Sequence, residues 1–341
     1  MNRFLPIHQQ IHVQFLIPLR PERVKAMIKR IIRNVGRLCV SGDRVAILIY
    51  HRVLASPDAL RTFDINVDDF RDQMKWVREC FHVLPLYDVL QGMRNEDRPL
   101  PAVAITFDDG YRDNVNVALP VLKELGLHAT FFIASGYLNG GMMWNDGVIE
   151  YLRTVPDGKL DLGCVGMGKV EVGSLAERRR LVYELLNKLK YLPFEERESA
   201  VNCLRREGHR PSSDLMMRDE DVRRLHREGM EIGGHTRNHP ILSRLESAQA
   251  YMEIVEGRRD LESLDVGPIR LFAYPNGKFN RDYNAEHVEM VKEIGFEAAV
   301  STDVGVASSS SDQWQLPRFT PWDKAPWRFS VRLLEQYRHP R

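Results

Sequence analysis

The chain alternates short, continuous apolar runs with longer stretches in which apolar residues return every three or four positions. That is the pattern of buried parallel strands joined by amphipathic helices. The runs at 45–50 (VAILIY), 101–107 (PAVAITF) and 129–134 (ATFFIA) predict the first strands. Between them, 67–80 predicts a helix with Phe70, Met74 and Val77 on one face and Asp68 or Asp69 as its cap. A short strand near 82–86, a helix over 87–93 and a helix over 114–125 stopped by Gly126 follow. The segment from about 140 to 218 breaks the rhythm with several glycines and one charged helix, 175–190, and reads as an insertion. The alternation then resumes: helix 219–228, strand 230–234, helix 249–264, strand 270–274, helix 284–294, strand 296–301 and a last helix near 327–337. Strand–helix–strand order of this kind implies parallel pairing with right-handed crossovers. The expected organisation is a basic N-terminal segment over 1–43, a barrel over 44–326 that carries the insertion, and a C-terminal helix and tail over 327–341.

Composition narrows the class. With 43% hydrophobic and 28% charged residues the chain is an ordinary globular one, which excludes a disordered or fibrous protein. A net charge of +1 gives no polyelectrolyte signature, so nucleic acid is not an expected partner. Cys39, Cys80, Cys164 and Cys203 form no CxxC pair, which argues against a cysteine metal site and suits a reducing compartment. The N-terminus lacks the look of a secretory leader and no run of about 18 apolar residues occurs, so a cytoplasmic location is expected. Residues 1–40 hold Arg3, Arg20, Arg23, Lys25, Lys29, Arg30, Arg33 and Arg37 against Glu22 alone, with Val24, Ile28, Ile31, Val35 and Leu38 at helical spacing. Such a helix suits packing on the domain, or peripheral contact with the anionic inner face of a membrane.

Ligands of parallel α/β folds bind at the carboxyl ends of the strands. There the sequence places Asp108-Asp109-Gly110 after the second strand, His235 and His239 after EIGG, and His51 after the first strand. Two adjacent carboxylates in an apolar mouth are costly without a cation. His235 and His239 lie four apart, which on a helical turn puts both imidazoles on one side. Two neutral histidines and one carboxylate make three ligands for a divalent ion, zinc above all, with a position left for water. The other aspartate is then placed to act as general base on that water. Alone, a DDG is usually a turn, and an HxxxH pair is as often a surface pair. The case rests on their coincidence at strand ends.

These residues resemble a known family. Thr106-Phe107-Asp108-Asp109-Gly110-Tyr111 and His235-Thr236-Arg237-Asn238-His239-Pro240 are similar to the first two motifs of the NodB-type polysaccharide deacetylases, carbohydrate esterase family 4. Phe272-Ala273-Tyr274-Pro275-Asn276-Gly277 resembles a third motif. Tyr50-His51-Arg52-Val53 and Leu316-Pro317-Arg318-Phe319 resemble flanking signatures of a branch associated with exopolysaccharide synthesis. The resemblance spans roughly 44–323 and implies a distorted (β/α)7 barrel. It implies Asp109, His235 and His239 as metal ligands, Asp108 as catalytic base, and removal of acetyl groups from an amino-sugar polysaccharide; the expected lack of an export signal adds its lipid-linked precursor at the inner membrane face as a substrate. It also implies that a backbone N–H at Tyr111 stabilises the oxyanion, and that Tyr111, Tyr274 and Pro275 border the sugar.

The sequence departs from that pattern in two places. The usual arginine of the third motif is Ala273, and the usual Leu-x-His motif near the end reads Leu316-Pro317-Arg318. Arg318 is therefore the candidate charge partner of Asp108, and His51 the candidate proton donor. Trp144 is the candidate stacking residue of the cleft, and His128, which precedes a strand, is read as structural. Alternative readings are a metal-dependent amidase for a small molecule, and a carbohydrate-binding barrel without catalysis.

Overall fold

The computed structural model describes residues 21–39, 44–91, 101–207, 214–323 and 325–338. Seven strands run parallel and are neighbours in chain order: β1 (Val45–Tyr50), β2 (Ala102–Phe107), β3 (Thr130–Ile133), β4 (Glu231–Gly234), β5 (Leu271–Ala273), β6 (Ala298–Val304) and β7 (Leu316–Arg318). The last returns to the first, because Phe319 N–H donates to the Ile47 carbonyl at 2.8 Å and Ile49 N–H to the Phe319 carbonyl at 3.1 Å. The result is a nearly closed, distorted (β/α)7 barrel. Its distortions are a single residue pair between β4 and β5 and a register shift between β6 and β7. A short strand, His82–Val83, pairs with the first half of β2.

Alternation along the strands sorts the side chains into two layers. Val45, Ile47, Ala102, Ala104, Ala273, Ala298, Val300 and Leu316 form an inner cluster. Ala46, Leu48, Val103, Ile105, Phe107 and Phe272 face the surrounding helices in a larger one. The parity carries past the strand ends. In the series 102, 104, 106, 108 the inward positions become Thr106 and Asp108, and from Leu316 the next inward position is Arg318.

Several helix ends show why these residues form these elements. The helix Val67–Cys80 is capped by Asn66, whose side chain accepts from Asp68 N and Asp69 N. The expected cap, Asp68 or Asp69, is instead the first helical turn, where carboxylates meet the positive end of the helix dipole. Gly126 ends the helix Leu119–Leu125 at φ 63°, as its position predicted. Just before that helix the chain makes a widened turn at Asn114–Ala118.

The insertion is a packed lobe. The helices Trp144–Thr154, Leu175–Leu189 and Phe194–Glu207 and the hairpin Gly158–Asp161/Lys169–Val172 surround an apolar cluster of their own, with Val148, Leu152, Leu181, Leu185, Val201 and Leu204 at its centre. The helix Pro21–Cys39 lies against Val67–Cys80 and the C-terminal helix Pro326–Arg338, burying Ile32. Lys29 pairs with Glu79 at 2.8 Å on that inner side, while Arg23, Arg30, Arg33 and Arg37 face outward. No helix among the described residues is long and apolar enough to cross a membrane.

Candidate active site

The DDG segment turns sharply at the end of β2. Asp109 sits at φ 77° and Gly110 at φ 90°, left-handed conformations that cost a non-glycine residue roughly 1 kcal/mol or more and cluster at functional sites. The turn lets consecutive carboxylates point into the same mouth. Beyond it, Tyr111 forms an antiparallel bridge with Met216, flanked by Arg112 N–H to Leu215 O at 2.9 Å and Met217 N–H to Gly110 O at 3.0 Å. In that arrangement the amide of Tyr111 itself points away from Met216 and stays available.

His235 and His239 follow β4, though not on a helical turn. Residues 235–240 form a loop in which Thr236 (φ 62°) and His239 (φ 50°) are both left-handed. This corrects the spacing argument: the rings converge, 4.7 Å between centroids, because two reversals fold the loop back on itself. Its neighbours hold it in that shape. The Thr236 hydroxyl accepts from His239 N–H at 3.1 Å, and Glu253 accepts from the backbone N–H of Arg237 and Asn238 and from the Asn238 amide. One turn further along the helix Ser247–Glu262, Gly257 packs so closely that a Cβ there would lie 2.6 Å from the Thr236 carbonyl carbon. Glu253 and Gly257 are site residues that sequence reasoning missed. The one available signal was a glycine inside a strong helical pattern.

The three expected ligands meet. Asp109 Oδ1 lies 3.5 Å from His235 Nε2 and 3.4 Å from His239 Nε2, and one ligand atom from each residue falls within 4.8 Å of the others. His235 Nδ1 is 2.7 Å from the Ala273 carbonyl, which makes Nδ1 the donor and turns the Nε2 lone pair toward Asp109. A lone pair facing a buried carboxylate calls for a cation between them. Burial pushes the His235 imidazole down, but Asp109 and Asp108 outweigh it and raise it. Burial dominates at His239, which is pushed down to about 3, so this ring is neutral as a metal ligand must be. Asp109 Oδ1 is buried and has no hydrogen-bond partner among the described residues. Two imidazole nitrogens and one orphaned carboxylate oxygen fit a zinc-like divalent ion.

Asp108 sits beside this group, with Oδ2 4.0 Å from His235 Nε2. Arg318 grips it with two parallel bonds of 2.7 Å, Nη1 to Oδ1 and Nη2 to Oδ2, and donates from Nε to the Ser301 carbonyl at 2.7 Å. Both side chains are buried. Burial would raise the Asp108 carboxyl, but the Arg318 guanidinium, His235 and the paired hydrogen bonds hold it below the usual carboxylate range. The fork geometry is one that lysine cannot supply.

The other expected site residues fall into two groups. His51 is exposed at the mouth, close enough for its charge to bear on both aspartates, and Asn114 holds its backbone carbonyl at 2.8 Å. Tyr111 is buried under the Arg52 guanidinium, 4.6 Å from the ring centroid. Trp144 departs from expectation: it packs into the core of the insertion with Arg197 over its ring at 5.1 Å, which leaves little face for a sugar. Tyr274 and Pro275 are also buried, and Tyr274 stacks on Tyr283 at 3.8 Å as a packing residue behind the site. His128 stays away from the site and lies 3.4 Å from the Gly229 carbonyl.

Comparison with known proteins gives the family. The model of the polysaccharide deacetylase family matches residues 95–299. YxkH of Bacillus subtilis (strain 168), which takes its name from the same family, is 22% identical over 277 residues, covering 81% of this chain and 70% of that protein. Among solved structures, the deacetylase PplD of Streptococcus pyogenes, in complex with acetate, superposes with a TM-score of 0.56 at 18% identity, covering 86% of this chain and 98% of PplD. IcaB from Ammonifex degensii gives 0.55 at 17% identity, covering 87% and 98%. The chain belongs to the polysaccharide deacetylase family, carbohydrate esterase family 4, and is a hydrolase.

Proposed function

We propose that this protein removes N-acetyl groups from the amino sugars of a polysaccharide or its lipid-linked precursor, using a divalent ion held by Asp109, His235 and His239. One observation carries the reading: a buried carboxylate oxygen lies 3.4–3.5 Å from two imidazole nitrogens, with a second, arginine-clamped carboxylate alongside. A divalent ion held there, zinc by its donor set, would supply Lewis acidity for the acetamide carbonyl and for the attacking water. Asp108 takes the proton of the attacking water. Arg318 occupies one lone pair on each of its oxygens, and a carboxylate has another on each to offer. The Tyr111 N–H is positioned to meet the developing oxyanion. His51, on the open side of the mouth, gives the amine the proton it needs to depart.

Acetate release measured against acetylated oligosaccharides of increasing length tests the substrate class. The reading expects the rate to grow with length; rates independent of length would favour a small-molecule amide. His51→Ala is expected to lower turnover by about 10²-fold or more while leaving zinc affinity intact. Unchanged turnover at saturating metal would remove His51 from the reaction.

A further inference from the structure

Arg197 is a charged side chain that the chemistry above does not use. It projects from the insertion helix Phe194–Glu207 and is 2% exposed, with its guanidinium over the Trp144 ring at 5.1 Å and the Phe194 ring at 5.5 Å. Its Nε and Nη2 are buried without a hydrogen-bond partner, and it forms no ion pair among the described residues. Its neighbours frame the metal group from two sides. On one, Tyr137 donates to the Asn238 carbonyl at 2.9 Å, next to His239, and Arg197 is near enough to act electrostatically on both Tyr137 and His239. On the other, Trp144 adjoins Asn145, whose amide reaches the Tyr111 hydroxyl at 3.4 Å.

A buried guanidinium is stable only when an anion and hydrogen-bond acceptors answer it. Aromatic faces recover only part of that cost. Glu198 acts on Arg197 at a distance, and burial still dominates, shifting the guanidinium below its ordinary value. No described residue hydrogen-bonds Nε or Nη2, and the rings beside the charge, Tyr137 and Trp144, adjoin residues of the site. We propose that Arg197 is a substrate-binding residue that receives an oxyanion, carboxylate or phosphate, carried on the sugar chain beside the acetamide. The substrate is then an acidic glycan or a sugar phosphate, selected by a charge that the insertion delivers to the barrel mouth. This rests on the deacetylase reading of the same site.

The test is calorimetric titration of the zinc-loaded full chain with N-acetylglucosamine 1-phosphate, an N-acetylhexosaminyl glucuronate disaccharide and neutral di-N-acetylchitobiose. The native protein should bind at least one acidic ligand about tenfold or more tighter than the neutral one. Whichever acidic ligand gains more identifies the source of the oxyanion. Arg197→Met should erase that preference, leave the neutral ligand unchanged and raise the unliganded Tm, since an uncompensated buried cation is gone. Arg197→Lys should restore part of the preference. Equal native affinity for acidic and neutral ligands would overturn the proposal, and so would a variant that loses both together with a lower Tm. Arg197-dependent binding without acetate release from any substrate would count against the deacetylase reading and leave the role of Arg197 standing.

Discussion

Asp108→Asn lowers acetate release by about 10²–10⁴-fold, the range over which a positioned general base contributes to a rate. The amide cannot take a proton from water, and its volume matches the carboxylate, so the loss reports chemistry rather than shape. The Asp109, His235 and His239 group is untouched, and the variant should still bind its divalent ion. The substitution also leaves Arg318 without a counter-charge in a buried position. Its stability therefore falls by roughly 1–3 kcal/mol, visible as a lower Tm. Turnover measured well below the variant's Tm separates the two effects. Near-native turnover there would show that the base lies elsewhere.

Arg318→Met is the more damaging change to the fold. It leaves the Asp108 carboxylate buried and unpaired, a loss of about 3–5 kcal/mol at neutral pH. The direction with pH follows from the carboxyl itself. In the native protein it is held below its unfolded value of about 3.9, so its contribution is present above that pH and fades as pH falls through the depressed value. Without the guanidinium, burial dominates and raises the carboxyl. The variant then loses stability as pH rises through the new value, and the acid limb of its pH–rate profile moves upward. Denaturant melts of both proteins across pH 4–8, a range chosen around the ordinary carboxyl values, measure this. Parallel curves for the two would show that the pair carries no linkage.

Much of this architecture is legible in the sequence because buried strands obey simple rules. Continuous apolar runs located β1 and β2, and Gly126 marked a helix end. Strand parity explains why Asp108 and Arg318, 210 positions apart, share an inward face. That pairing also accounts for the departure at Ala273: its side chain is dispensable to the pair, while its carbonyl fixes the tautomer of His235. What stayed hidden depends on tertiary contact. The left-handed backbone at Thr236 and His239 cannot be inferred from a β-branched residue and an imidazole. Neither helical periodicity nor composition shows that Glu253 and Gly257 hold that loop, or that Arg197 is buried without a partner. Aromatic residues misled in the other direction: Trp144 and Tyr274 looked like cleft residues, and both serve packing.

The central claim is that one divalent ion, held by Asp109, His235 and His239, supports the reaction. The direct test is acetate release from an acetylated amino-sugar polymer by chelator-stripped protein as zinc is added back. The account predicts no release from stripped protein, recovery that saturates at one equivalent of zinc per chain, and no recovery at that level for His235→Ala. Full release after stripping, or the same recovery in the variant, would contradict it.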